Sequence, residues 1–257
     1  MTSSAESSKV IVSNLDSFIR RSQPLPEPKS TSQEIRDRSS TFVANIFPAA
    51  TPEEANSHVH YLRKVLHASR PATHEISAYR CMVLKAGKTG LAGPEDFELK
   101  TGCDDDGEQW AGIKVLKVME SLAVLDAVVI CSRWYGGIML GSVRFTHIET
   151  CVAEVCRTFK SKQELEDCIA MLSTLDDILK QLRAELAVLS GPSASTSSTD
   201  DSPRPKMKPP DYSSWTESDI PKARRLVTAR EKAVASVKSM IAKRSAAAAT
   251  ATWYPMR

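Results

Sequence analysis

Four leucines seven residues apart, Leu165, Leu172, Leu179 and Leu186, constrain this chain more than any other feature. Cys168, Leu175, Leu182 and Leu189 fill the complementary positions, giving an apolar seam with the period of a coiled coil. A helix of that pattern must bury its seam, at roughly 1.5–3 kcal/mol per leucine. Two coverings are expected: fold-back onto a preceding domain, or a homodimer paired through Leu165–Leu189. Ser161-Lys162-Gln163-Glu164 reads as a capping box that opens the helix, and Gly191-Pro192 stops it.

Upstream the hydrophobic period changes. Thr41 to Phe47 is β-branched and aromatic, a strand closed by Pro48. Thr51-Pro52-Glu53-Glu54 is a helix start, with a hydroxyl cap, proline at the first helical position and acids at the positive helix end. Ala55, Val59, Leu62 and Leu66 give that helix one buried stripe. Glu75 to Leu84 alternates as a second strand, and Gly87, Gly90, Gly93 and Pro94 mark a loop. A second helix fits residues 108–123. Ala127 to Cys131 is a short continuous apolar run, the signature of a strand covered on both faces. Phe145, Ile148, Val152, Val155 and Phe159 set out a third helix. The alternation predicts one α+β or α/β domain of ordinary size.

The expected organisation is a disordered arm over 1–34, an α+β domain over 35–160 and a leucine-heptad helix over 161–190. A flexible linker over 191–218, a basic amphipathic helix over 219–245 and a tail over 246–257 follow. Residues 1–34 are rich in Ser, Pro and charge and cannot offset their ordering entropy, apart from a small amphipathic piece around Val10, Leu15 and Phe18. The net charge of +3 is unevenly spread. Residues 206–257 hold eleven Lys or Arg against four Asp or Glu, so a mildly acidic body carries a basic end suited to a polyanion such as RNA. No apolar run approaches the ~18–20 residues that span a bilayer. The start, Met1 to Glu6, lacks the pattern of a secretion signal. The six cysteines have no zinc or redox spacing, so the expectation is a cytoplasmic protein with reduced thiols and no metal or cofactor.

Two constellations carry candidate chemistry. Asp104, Asp105, Asp106 and Glu108 precede a helix and are the residue types that ligate a hard cation. Asp105 as cap with Glu108 three residues on explains the same residues structurally, and that explanation is preferred. Arg133-Trp134-Tyr135-Gly136-Gly137, with Leu140, Gly141 and Arg144 just after, lies between a buried strand and a helix. It is neither a Walker loop nor a dinucleotide fingerprint. Its glycines suit a tight turn, while arginine beside aromatics suits a binding surface for protein or single-stranded nucleic acid.

At these loops the chain resembles a known family. Asp105-Asp106-Gly107-Glu108 with Ala111-Gly112, and Arg133 to Gly141 followed by Arg144-Phe145, are similar to the IMPACT family and its bacterial YigZ-like relatives. Arg38, Ser40, Thr41 and Phe42, and Ala72-Thr73-His74, fit the same pattern. The likeness is to a fungal-type member lacking the RWD domain, since only a short arm precedes the matched region. It implies an α+β, two-layer fold like domain 2 of ribosomal protein S5, followed here by helical C-terminal appendages. It further implies a non-enzymatic regulator of translation that binds protein partners of the general-control kinase pathway, and monomeric actin. The binding residues expected from the motifs are Asp105, Asp106, Glu108, Arg133, Tyr135, Gly136, Gly137 and Arg144. The alternative is an RNA- or ribosome-binding protein using the S5-like face and the basic helix. A hydrolase built on His74, Asp105, Glu108 and Arg133 ranks last.

Overall fold

The structure is a computed structural model and describes residues 25–190 and 211–251. The amphipathic piece near Val10, residues 191–210 of the linker and the last six residues lie outside the described residues. The chain divides into two compact units, Met1–Cys156 and Arg157–Arg257.

The first unit is built on an antiparallel sheet. Its strands are β1 (Ser30–Thr31), β2 (Ile35–Asp37), β3 (Ser40–Pro48), β4 (His74–Leu84), β5 (Phe97–Asp104) and β6 (Ala127–Trp134). The order is β1-β3-β6-β4-β5, with β2 also paired to β3. The apolar run at 127–131 thus occupies the central strand, with β3 on one side and β4 on the other. Ser30 and Thr31, expected in the arm, pair with Ile46 and Asn45. The hydrogen bond from Thr31 to the buried Asn45 side chain holds that short edge in place at 2.7 Å. Strand β5 was not expected either, although Phe97, Leu99, Thr101 and Cys103 alternate with Glu98, Lys100 and Gly102 at the strand period.

Helix α1 (Pro52–Tyr61) begins where its cap predicts: Thr51 Oγ1 accepts from the Glu54 amide at 3.2 Å. The Glu54 carboxylate returns a bond from the Ala50 amide at 2.8 Å. The helix lays Ala55 and Leu62 of its following turn against Phe47, Cys81, Val128 and Ile130, one face of the sheet. Helix α2 (Ala111–Ser121) serves the other face, where Arg80 crosses to the carbonyls of Met119 and Val124. The class is α+β, with α1 adding a helical layer on the face away from α2.

Helix α3 (Val143–Ser190) starts in the first unit, where Ile148, Cys151, Val152 and Val155 are buried. It runs on without a break through Ser161–Glu164, so the capping box expected there does not open a helix. No glycine or proline interrupts residues 143–190. A cap is worth only about 1 kcal/mol and cannot by itself end a helix whose apolar stripe continues.

In the second unit, α3 pairs with α4 (Ile220–Ala251). Leu179 meets Val234 and Val237, with Leu175, Ile178, Leu182, Leu186 and Ile241 around them. The part of the leucine seam from Leu175 to Leu186 is therefore covered by the basic helix of the same chain, whereas Leu189 is 43% exposed. For that part of the seam neither expected covering is needed, the α+β domain or a second copy. Residues 212–218, expected as linker, are also built in: Tyr212 is buried and donates to Asp176 at 2.7 Å. Thr216 and Asp219 form a capping box on the 3-10 turn Glu217–Asp219, which leads directly into α4. No helix among the described residues is long and apolar enough to cross a membrane.

Candidate functional site

The register of the sheet assembles one row of side chains. Arg133 on β6 stands opposite Phe42 on β3 and opposite His74 on β4. Side chains paired in this way share a face, so three residues distant in sequence point together. Arg133 is buried, and its guanidinium lies 5.5 Å from the Phe42 ring centre and 5.4 Å from that of Tyr135. Such cation–ring contacts favour a planar guanidinium held in one plane.

The loop between β5 and α2 brings the counter-charge. Glu108, also buried, accepts from Arg133 on Oε2 and from the Arg144 Nε on Oε1, the latter at 2.5 Å. Both oxygens of one carboxylate are thus engaged by two arginines from different elements. The Arg144 Nη1 also donates to the Gly141 carbonyl at 2.5 Å, which ties the start of α3 to the glycine loop. His74 completes the group: its Nδ1 donates to the Asp106 carbonyl at 2.8 Å, while Nε2 faces Glu108 at 3.9 Å.

These residues surround a cavity of about 300 Å³ lined by His74, Glu108, Arg133, Tyr135, Met139, Leu140, Gly141 and Arg144. It is a polar floor with an apolar wall. Tyr135 is 41% exposed, and Ile138 and Met139 nearby are 50% and 78% exposed, all on the rim loop. Thr73 secures that loop, accepting from the Tyr135 amide at 3.0 Å while its own amide donates to the Arg133 carbonyl.

Of the residues expected from sequence, the structure brings Glu108, Arg133, Tyr135 and Arg144 around one cavity. It gives the two aspartates other tasks. The Asp105 carboxylate accepts from the amides of Trp110 at 2.9 Å and Gly112 at 2.7 Å, so it caps α2 from outside the helix. Glu108 takes no part in that cap, contrary to the capping box expected here, because its side chain turns inward to the arginines. Asp106 accepts from the Glu75 amide at 2.7 Å and pairs with Arg63 at 2.9 Å. Among the described residues no cluster of three or more His, Cys, Asp or Glu is placed to hold a metal ion.

The glycines differ in their reasons. A side chain at Gly136 would meet the Ser39 carbonyl at 2.1 Å, so this position is fixed by the close approach of the turn between β2 and β3. Gly137 instead has φ +86° and open space around it, the conformational case. Trp134 leaves the cluster and faces the other side of the sheet, donating to the Arg70 carbonyl at 3.0 Å. His74, Met139, Leu140 and Gly141 line the pocket but are absent from the expected binding set. The signal for His74 was its strand-start position, but only the cross-strand register shows it opposite Arg133.

Residues 38–156, the span holding every lining residue of this cavity, match the family described as the Impact N-terminal domain. Protein IMPACT of Xenopus laevis is 33% identical over 157 residues, 60% of this chain and 45% of that protein. The mouse protein IMPACT is 39% identical over 124 residues, 47% of this chain and 35% of its own length. The chain thus spans less than half the length of these relatives. A crystal structure of a hypothetical protein is 23% identical with a TM-score of 0.40, covering 51% of this chain and 58% of that one. The structure of Yih1, described as a two-domain translational regulator, is 30% identical with a TM-score of 0.32, covering 49% and 44%. Residues 38–156, a little under half of the chain, are thus similar to the Impact N-terminal domain family.

Proposed function

We propose that this chain is a non-enzymatic regulator of translation that works by binding protein partners of the general amino-acid control pathway, in which a kinase phosphorylates initiation factor two. The observation that carries the binding mode is the engagement of both Glu108 oxygens by Arg133 and Arg144. A carboxylate so committed is poorly suited to accept a substrate proton. Beside this clamp Tyr135, Ile138 and Met139 are exposed, and an aromatic beside arginine and methionine is the composition of a protein-binding anchor. The likeness of residues 38–156 to the Impact N-terminal domain supports placing this surface in translational control. Monomeric actin is a second protein partner under this reading, and the setting is the cytoplasm during amino-acid starvation.

The test is to express the chain in starved cells and measure phosphorylation of the alpha subunit of initiation factor two. Phosphorylation should fall with the wild type and recover with Tyr135→Ala. Unchanged phosphorylation with the wild type would reject the kinase-pathway reading. Multiple-turnover hydrolysis by the purified protein, lost in Glu108→Gln, would replace regulation with catalysis.

A further inference from the structure

The second unit carries a charge asymmetry that its own packing does not use. Helix α4 has eight Lys or Arg and a single acid, Glu231. The facing part of α3, from Arg157 to Ser190, is nearly balanced, with five basic and six acidic residues. Two cross-helix pairs join them, Arg224 with Glu164 and Arg230 with Asp176. Arg225, Lys232, Lys238 and Lys243 are exposed and, among the described residues, form no ion pair.

Their positions are ordered. Val234, Val237 and Ile241 define the side of α4 turned to α3. Arg225, Lys232 and Lys243 fall at spacings of seven and eleven, close to whole numbers of helical turns, on the side away from those residues. They form a line about 27 Å long at ~1.5 Å per residue. Between them stand Thr228, Ala229, Ala235, Ser236 and Ser239, all exposed and small, so an extended surface can approach the helix closely.

The composition of this face selects among polyanions. A membrane-surface helix needs a row of large apolar residues on the side that enters lipid; here Val234, Val237 and Ile241 pack against α3, and Met240 alone of the large apolar residues of α4 stands exposed. Single-stranded nucleic acid is held by aromatic stacking, and α4 contains no aromatic residue. Base reading uses Asn or Gln beside Arg, and α4 contains neither. An acidic protein surface would call for buried anchors of the kind absent here. What remains is a row of cations on small residues, the chemistry that tracks a phosphate backbone.

We propose that the outward face of α4 is a docking surface for the phosphate backbone of a nucleic-acid duplex, bound without sequence preference through Arg225, Lys232 and Lys243. It is independent of the Arg133–Glu108 site. Three phosphate contacts predict that affinity falls about 40-fold between 50 and 200 mM salt.

The test titrates the full chain into a labelled 20-base-pair RNA duplex, the matching DNA duplex and a single strand, at several salt concentrations. The Arg225→Gln/Lys232→Gln/Lys243→Gln variant should bind the duplexes at least tenfold more weakly at 50 mM salt, with a flattened salt slope. Lys232→Gln alone should lower that slope by about one contact, which keeps the test valid should the triple variant misfold. Duplex binding equal in the variants, or insensitive to salt, overturns the proposal. So does tighter binding to the single strand, or to vesicles of anionic lipid, than to either duplex. Loss of the kinase-pathway effect in Tyr135→Ala, with duplex binding retained, keeps the two surfaces distinct.

Discussion

Arg133 and Glu108, twenty-five residues apart in sequence, form an ion pair in which both side chains are 6% exposed. Neither strand nor loop holds it alone: β6 supplies the guanidinium, the β5–α2 loop the carboxylate, and Arg144 from α3 closes the other oxygen. Two buried charges of this kind lose most of their hydration, so each is tolerable only while its partner remains.

Glu108→Ala should therefore destabilise the first unit by about 3–5 kcal/mol, the cost of leaving a buried cation without its acid. Arg144→Ala should cost distinctly less, because Glu108 keeps Arg133 and the Arg144 side chain is 26% exposed. Urea denaturation of the two variants makes the comparison. Equal losses would mean that Arg133 does not need Glu108.

The glycine pair offers a second contrast. Gly136→Ala should cost more than ~2 kcal/mol, since the new carbon meets a backbone carbonyl that can move only with β2 and β3. Gly137→Ala has room and should cost only the left-handed backbone, about 1–2 kcal/mol. Thermal melts showing the reverse order would place the close approach elsewhere.

In the second unit, Leu179→Ala should cost about 2–5 kcal/mol, because Leu179 is 2% exposed against Val234 and Val237. Helical signal should fall as α4 detaches. Sedimentation should not change, since this part of the seam is covered within one chain. A shift from dimer to monomer in this variant would return the seam to a role between copies.

Thiol labelling probes burial directly. All six cysteines are free. Burial, together with the charge of Asp126, pushes the Cys81 thiol up to about 11, and burial raises Cys131 well above its ordinary range. Cys103 is exposed and is raised by partial burial and by Asp105 and Asp104. A maleimide at pH 7 should reach Cys103 before either of the other two, which should react only on unfolding. Early labelling of Cys131 would contradict the central position of β6.

How far the sequence reaches can be judged element by element. The cap at Thr51, the alternation of β4 and the apolar run of β6 each encode their structure locally, through hydrogen bonding and hydrophobic period, and each appears in place. The heptad of leucines likewise determines that 165–189 is a helix, with its seam buried at Leu165, Leu172 and Leu179 and open at Leu189. It does not determine the cover, because any apolar stripe of matching period satisfies a leucine seam. Val234 and Val237 win because the same chain brings them there. Ser161–Glu164 has the local form of a helix start, yet the surrounding helix absorbs it. At the candidate site, the motifs contain Glu108, Arg133, Tyr135 and Arg144 but do not say which acid meets which base. That depends on strand register, which sets His74 and Phe42 beside Arg133, and on the turn at Asp106–Gly107, where φ values of +43° and +84° direct the loop that carries Glu108. Local periodicity fixes elements because it acts over a few bonds. The clamp is decided only by tertiary structure, because its members meet across three elements whose spacing no local pattern records.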